Sequence, residues 1–296
     1  MNLSVILNRM YNSLFSKAET FEEKRRIRKY LKNGRVPWSV GYADFKKMEL
    51  IRILNDERII QSFIGKELPA GFGIGIDERI IEYPWILSRL SNNPSKILDA
   101  GSTFNFDIIL DSKKIAQKEL TICTFYPEEI NYNKKRISYV YSDLRQLPFK
   151  DELFDEVVCQ STLEHIDMDN SIYGYDLKKL DTIADKSYEY LKAVKELIRV
   201  LKSGGTLLIT FPFGKFENHG FFQQFDDEML TRTEVLLQPF GTIETDFIQY
   251  INQGWQFAQR NEMHDVRSYN PHTGVGKTDD GAAHCRGICL IQFIKK

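Results

Sequence analysis

Residues 142–166 read SDLRQLPFKDELFDEVVCQSTLEHI. The apolar residues within 155–160 predict a buried strand. Asp143 comes directly after an earlier predicted strand, and polar residues that begin at Ser161 come directly after this one. In an open α/β sheet, ligands bind beyond the carboxyl ends of the strands. The stretch therefore predicts two strands whose ends bring polar side chains to a ligand.

Short β-rich runs alternate with helical patterns on both sides of this stretch. The predicted strands are 96–100, 119–124, 138–142, 155–160, 205–211, 243–250 and 286–294. Most of them are separated by predicted helices at 104–117, 128–135, 183–202 and 227–238. This alternation is typical of βαβ units, which build a mainly parallel sheet with helices on both faces. The last two strands have no helical pattern between them, so the last strand is predicted to be antiparallel.

The chain divides into two predicted parts. Residues 1–92 read as mostly helical and predict an N-terminal extension or cap. Residues 93–296 then form the α/β domain, with an insertion at 166–182 and a polar, glycine-containing late loop at 252–284. Long loops inside compact domains are usually functional, so the late loop is expected to contribute to function.

Composition excludes several classes of protein. The 296 residues include 40 Lys and Arg against 41 Asp and Glu, a net charge of −1, whereas gripping nucleic acid needs a concentrated positive field. There is no run of 18 apolar residues, so no membrane span is predicted. The 4 cysteines form no CxxC pair, which argues against zinc. We predict a cytoplasmic, reduced protein without a metal site and without nucleic acid as a partner.

Three segments together resemble the class I S-adenosylmethionine-dependent methyltransferases, of the type 11 kind. They are KILDAGSTFNFDIIL at 96–110, the opening stretch at 142–166, and ELIRVLKSGGTLLITFPFG at 196–214. Each segment alone is a weak signal, but three in the right order and on the right elements are strong together. The resemblance covers about residues 96–213. It implies a Rossmann-like, seven-stranded sheet and S-adenosylmethionine as the cofactor.

The resemblance also implies which residues hold the cofactor. Asp99 orders the first loop or reaches the cofactor ammonium, and Gly101 lets the backbone approach the methionine portion closely. Asp143 accepts a hydrogen bond from the adenine amino group, and Leu144 packs on the base. The predicted cofactor-binding residues are Asp99, Gly101, Ser102, Asn105, Thr124, Asp143, Leu144, Gln160 and Ser161.

Two departures from the family pattern affect this site. Thr103 and Asn105 stand where relatives have glycine, and asparagine tolerates a positive φ better than most residues. Thr124 stands where relatives have an acid that holds both ribose hydroxyls, and a hydroxyl cannot make that bidentate pair. Glu128 or Tyr126 could contribute to the ribose contacts instead.

The segment after the fourth predicted strand bears on the acceptor. Exocyclic-amine methyltransferases of nucleic acids carry an Asn/Asp/Ser-Pro-Pro-aromatic motif where this chain has QSTL at 160–163. Instead, EHIDMDNSIYGYD and GFGIGIDERIIEYPW resemble methyltransferases of bacterial surface-polysaccharide gene clusters. That resemblance implies O-methylation of a sugar, a nucleotide sugar or a polysaccharide precursor. The predicted acceptor-binding residues are Asn170, Tyr173 and Phe213.

A hydroxyl acceptor needs a base to remove its proton. The candidates are His219, His165 and Asp169, and His165 could instead have a structural role. Asp167, Asp169 and His219 could alternatively hold Mg²⁺, although nothing in their spacing demands it. Arg79 could reach the cofactor carboxylate from the helix before the first strand, or that helix could only cover the sheet.

Other functions remain open at this point. The acceptor could be an amine or another small molecule, or the protein could be a non-catalytic, cofactor-binding partner subunit. A homodimer is also left open, since the sequence does not determine the oligomeric state.

Overall fold

The computed structural model describes residues 20–132, 136–173, 185–251 and 254–296, with only the backbone described at 172 and 173. Its strands are β1 Lys96–Ala100, β2 Glu119–Thr124, β3 Ile137–Tyr141, β4 Phe154–Gln160, β5 Leu201–Pro212, β6 Glu217–Asn218, β7 Gln223–Gln224, β8 Gly241–Ile251, β9 Gly254–Ala258 and β10 Gly287–Lys295. Within these residues the main sheet has 8 strands, in the order β3-β2-β1-β4-β5-β10-β8-β9, and β6 and β7 form a separate hairpin.

The strand directions confirm the predicted fold class. β3, β2, β1, β4 and β5 pair in parallel, so their carboxyl ends meet at one edge. β10 is antiparallel to both of its neighbours, β5 and β8. All seven predicted strands are present, and β9 is an additional edge strand within the segment that was expected to be a loop. Strand β9 has only five residues and begins at a glycine, which explains why its pattern was not recognised.

The helices are α1 over residues 20–32, α2 Tyr42–Leu54, α3 Glu57–Ile64, α4 Arg79–Arg89, α5 Asp107–Leu110, α6 Tyr190–Val200 and α7 Asp227–Leu237. They cover both faces of the sheet. The side chains of Ile97 and Val158 share a buried cluster with α1–α4, whereas those of Leu98 and Cys159 share one with α6 and α7. This alternation follows from the two-residue period of a strand. The N-terminal helices therefore supply one of the two helical layers of the fold.

The predictions of two helices are wrong. The helix expected at 104–117 is reduced to the single turn α5, and the described part of the helix expected at 128–135 is not helical. Side-chain hydrogen bonds explain the second case, because Asn105 Nδ2 donates to the Ile130 carbonyl at 2.9 Å and the Tyr132 N–H donates to the Tyr139 hydroxyl at 3.0 Å. These bonds replace the backbone bonds that a helix would need.

Helix α4 is anchored to the sheet by a buried polar contact. Trp85 Nε1 donates to Asp246 Oδ2 at 3.0 Å, and Arg89 Nη2 lies 2.7 Å from the same oxygen. Asp246 is on β8, the second strand from one edge, so the contact fixes the helix against this side of the sheet. Within the described residues, no helix is both long and apolar enough to cross a membrane.

Candidate active site

A cavity of about 390 Å³ opens at the carboxyl ends of β1, β2, β3 and β4. This is where the parallel order of the strands predicts a ligand, and the volume is within the range of small-molecule sites. The predicted site residues that line it are Gly101, Ser102, Thr124, Asp143, Leu144, Ser161, His165 and Asn170. We refer to it as the first cavity.

The loop after β1 requires glycine at its first position. Gly101 has a φ of +129°, and a Cβ there would come within 2.0 Å of Thr162 Oγ1. Ser102, with a φ of +61°, is the left-handed non-glycine residue of this loop, and Asn105 does not have a positive φ. The Ser102 hydroxyl is buried, lines the first cavity and makes no hydrogen bond. A buried polar atom without a partner in a cavity fits a polar ligand group.

Asp99 stabilises this loop by hydrogen bonds to its backbone and to the Thr103 hydroxyl. It is fully buried and does not line the first cavity. Its carboxylate accepts the Phe104 N–H at 2.7 Å, and both the N–H and the hydroxyl of Thr103 donate to it at 3.2 and 3.1 Å. Burial raises the pKa of Asp99 to about 7. The three hydrogen bonds favour the carboxylate and lower the pKa, but burial has the larger effect. The loop conformation therefore depends on Asp99.

Asn105 connects the loop after β1 with the segment after β2. It is buried, and its Nδ2 donates to Glu128 Oε2 at 2.7 Å. The Tyr139 hydroxyl donates to Asn105 Oδ1 at 2.9 Å, which fixes the orientation of the amide. Glu128 lines the first cavity, as Thr124 does. A carboxylate therefore lines the cavity four residues after Thr124, the position where the resemblance implies an acid.

The segment after β3 places Asp143 in the cavity wall. Arg145 binds both of its oxygens, with Nη2 2.6 Å from Oδ2 and the backbone N–H donating to Oδ1 at 2.8 Å. The pKa of Asp143 is lowered, because these hydrogen bonds and the charge of Arg145 outweigh the effect of partial burial. Leu144 lies beside it and is buried. Asp143 is thus an ionised acceptor next to an apolar surface.

A buried glutamate that sequence reasoning missed links α4 to the ends of β4 and β5. Glu82 is fully buried and accepts hydrogen bonds from the hydroxyls of Ser161 and Thr210. Gln160 Nε2 donates to it at 3.2 Å, so Gln160 faces Glu82 and does not line the cavity. Arg79 forms an ion pair with Glu82 and lines the first cavity. The one signal in the sequence is an acid within the otherwise apolar run IIEYPWI at 80–86.

His165 is the base candidate that lines the first cavity. Its Nδ1 lies 2.8 Å from the Phe221 carbonyl oxygen, which can only accept, so Nδ1 carries the proton and Nε2 carries the lone pair. Burial lowers the pKa of His165 to about 4, so the ring is neutral at pH 7. The ring therefore has the protonation state that a proton acceptor requires.

The other two base candidates do not line the cavity. His219 stacks on Phe222 at 4.5 Å, and its Nε2 is buried, 3.6 Å from Glu217 Oε2. Burial lowers the pKa of His219. Asp169 Oδ1 accepts the Ser171 N–H at 3.0 Å. Asp167, which was proposed as a Mg²⁺ ligand, accepts a hydrogen bond from the Ser187 hydroxyl at 2.7 Å. Phe213, which was proposed to bind the acceptor, is buried against Phe247.

The remaining predictions lie at the edge of the described chain. The side chain of Tyr173 lies outside the described residues, as does the insertion from 174 onward. Asn170 lines the first cavity, and its Nδ2 donates to the His165 carbonyl at 2.9 Å. Asn170 therefore holds the backbone that carries His165.

Residues 101–209 match the family model described as a methyltransferase domain. This part of the chain, 109 of the 296 residues, is similar to a methyltransferase domain. The match begins in the loop after β1 and ends within β5, so it includes the lining residues from Gly101 to Asn170. The cofactor is S-adenosylmethionine. The unpartnered Ser102 hydroxyl and the glycine at 101 fit a polar cofactor that lies close to the backbone.

No curated protein matches the chain. Among solved structures, the chain is similar to the YcgJ protein from Bacillus subtilis, at 14% identity and a TM-score of 0.46, over 73% of this chain and 98% of that one. It is similar to 1,6-didemethyltoxoflavin-N1-methyltransferase from Burkholderia thailandensis, at 12% identity and a TM-score of 0.43, over 85% and 90%. A possible histamine N-methyltransferase from Thermotoga maritima matches at 15% identity and a TM-score of 0.41, over 84% and 99%. At these TM-scores the similarities carry no argument about the acceptor.

Proposed function

We propose that the protein transfers the methyl group of S-adenosylmethionine to a hydroxyl of a sugar or nucleotide sugar. The observation that carries this proposal is the first cavity, which brings the polar groups expected for the cofactor together with the neutral His165. Its lining also includes Asp167 and Asn170 from the insertion that resembles polysaccharide-cluster enzymes. Polar side chains of this kind suit a ligand rich in hydroxyls.

In this proposal the residues that follow four strands would hold the cofactor. Gly101 and Ser102 would bind its methionine portion, and Asp143 with Leu144 would bind the adenine, since all four line the first cavity. Glu128 takes the part of the acid that is missing at Thr124 and accepts the ribose hydroxyls, with Asn105 as the residue that positions it. Arg79 completes the lining from the side of α4.

The sulfonium of the cofactor supplies an activated methyl group, so the protein has to align the acceptor and remove one proton. His165 Nε2 accepts the hydroxyl proton as the acceptor oxygen forms its bond to the methyl carbon and the carbon–sulfur bond breaks. The Phe221 carbonyl accepts the hydrogen bond from Nδ1 and keeps the ring in the tautomer that this step needs. The positive charge of the sulfonium is then carried by the protonated His165, and both the methylated acceptor oxygen and the thioether sulfur are neutral.

The first test separates cofactor binding from chemistry. Titration calorimetry with S-adenosylhomocysteine should show binding to the folded protein, and labelled methyl from S-adenosylmethionine should appear in UDP-glucose or GDP-mannose. His165→Asn should lower turnover by about a hundredfold or more while leaving the affinity for S-adenosylhomocysteine within about twofold. His219→Asn is the matched control, because His219 is a buried histidine that does not line the cavity.

Three results would contradict the proposal. Folded protein that does not bind S-adenosylhomocysteine would remove the cofactor site. Unchanged turnover in His165→Asn would remove His165 as the base. Methyl transfer to amines but not to sugars would replace the hydroxyl acceptor with an N-methyltransferase activity.

A further inference from the structure

A second cavity of about 590 Å³ lies next to the first one, among α2, α4 and α5. The two cavities share Arg79, Tyr83 and Phe106 in their linings, so one ligand could lie against another across these residues. Tyr83 is fixed there, since its hydroxyl donates to the Thr103 carbonyl at 2.7 Å. The second cavity therefore adjoins the cofactor site, and no function has been assigned to it so far.

A half-exposed tryptophan lines the second cavity. Trp38 is 52% exposed, although its indole N–H donates to the Ala283 carbonyl and lies 3.3 Å from the Tyr269 hydroxyl. Its ring packs on Tyr42 with the centroids 4.8 Å apart. Tyr42 is buried and donates to Asp77 Oδ2 at 2.7 Å. The indole is thus held firmly from one side while much of it stays open.

The backbone around Trp38 is strained. Trp38 has a φ of +64° and Arg35 a φ of +58°, both in the left-handed region that bulky residues rarely adopt. Such strain persists only where the surrounding structure maintains it. A large apolar ring kept exposed by a strained backbone is an observation that the stability of the fold does not explain.

Three cations and one anion line the second cavity, and two of the cations are neutralised by buried acids outside the lining. Lys46 forms an ion pair with Asp77, and Arg79 forms one with Glu82. Lys47 and Asp107 add one charge of each sign to the lining. A polyanion would meet no net positive field here. A neutral ring with hydroxyl groups would find an aromatic surface together with groups that donate and accept hydrogen bonds.

We propose that the second cavity binds the sugar ring of the acceptor, with Trp38 as the surface on which the ring stacks. This inference rests on the proposed function, because it assigns the acceptor of the same reaction. The sugar lies on the indole, its hydroxyls reach Lys47 and Asp107, and the hydroxyl to be methylated points across Tyr83 and Phe106 into the first cavity. Trp38 is then a specificity-determining residue for the acceptor.

Tryptophan fluorescence can test this inference, because Trp38 is the exposed member of the 3 tryptophans. Trp85 and Trp255 are 1% and 2% exposed, so acrylamide should quench mainly Trp38. In the complex with S-adenosylhomocysteine, UDP-glucose, GDP-mannose, glucose or mannose should protect the emission from quenching. UDP alone should protect less than UDP-glucose. Trp38→Phe should remove the fraction that acrylamide quenches, which assigns the signal.

Two kinds of variant show whether the second cavity is used. Trp38→Ala should weaken sugar binding by about tenfold, whereas Trp38→Phe should restore most of it. Ala43→Phe should fill part of the cavity and reduce protection without changing the affinity for S-adenosylhomocysteine. Ala116→Phe is its matched control, since Ala116 is exposed and lines neither cavity.

The outcomes distinguish the inference from the proposed function. If S-adenosylhomocysteine does not bind, the proposed function fails. If it binds but none of the four sugars protects Trp38, the second cavity is not the acceptor site. Equal protection by UDP and UDP-glucose would also overturn the inference, because the base and not the sugar would then lie on the indole.

Discussion

Gly101 is the single residue on which the cofactor loop depends most directly. Replacing it with alanine would place a Cβ 2.0 Å from Thr162 Oγ1, in a backbone conformation that only glycine adopts readily. We expect Gly101→Ala to abolish binding of S-adenosylhomocysteine in calorimetry and to lower the free energy of unfolding by more than about 2 kcal/mol. Gly204→Ala is the matched control, because Gly204 also has a positive φ but no atom within 4 Å of the added Cβ. Equal effects of the two substitutions would show that contact with Thr162 is unimportant.

Glu128 decides how the ribose is held. Glu128→Gln should weaken S-adenosylhomocysteine binding by about tenfold, since a charge-assisted hydrogen bond to a hydroxyl is worth roughly 1.5–3 kcal/mol and part of it remains with the amide. Asn105→Ala should have a smaller effect in the same direction, because it frees Glu128 without removing it. Glu129→Gln is the control, since Glu129 is exposed and does not line the first cavity. Calorimetric affinities that are equal for the Glu128 and Glu129 variants would exclude the ribose role.

At the scale of elements, strands were easier to predict from the sequence than helices and contacts. The parallel strands are buried runs bounded by polar residues, so their positions and the edge that carries the site followed from the pattern. The segment at 104–117 begins in a loop and not in a helix, because Asp99 accepts the N–H groups of Thr103 and Phe104. Glu82 was missed because its partners Ser161 and Thr210 are far away in the chain. The periodicity of the sequence carries no information about contacts between residues that are far apart in the chain.

The contact of Glu82 on α4 with the ends of β4 and β5 can be tested by its effect on stability. Glu82→Ala would leave the partly buried Arg79 without its ion-pair partner and the buried hydroxyls of Ser161 and Thr210 without this acceptor. We expect the free energy of unfolding in urea to fall by about 3–5 kcal/mol. Glu49→Ala, which removes an exposed pair with Arg52, should change it by no more than about 1 kcal/mol. A similar small change in both variants would mean that Glu82 does not stabilise the packing of α4 on the sheet.

At the scale of the whole molecule, buried titratable groups act on stability in opposite directions. Burial lowers the pKa values of His165 and His284 to about 4, and it raises those of Asp99 and Glu78 to about 7. Between about pH 4 and pH 6.5, the histidines make stability rise with pH, because the unfolded chain binds protons that the folded chain does not. Over much the same range, the acids make stability fall with pH. The wild-type protein should therefore show a weaker pH dependence than either set alone would give.

A single histidine can separate these opposing contributions. His284 Nδ1 lies 2.9 Å from the Tyr269 carbonyl, and Asp77, His219 and His165 are the charged or titratable groups that act on it. Its lowered pKa means that its contribution is fully present above about pH 6.5 and is lost as the pH falls towards about 4. The difference in unfolding free energy between wild type and His284→Gln should therefore rise with pH across this window, by at most about 1.4 kcal/mol per pH unit, and then become constant. Urea unfolding at several pH values measures it, and a difference that does not change with pH would show that His284 titrates normally in the folded protein.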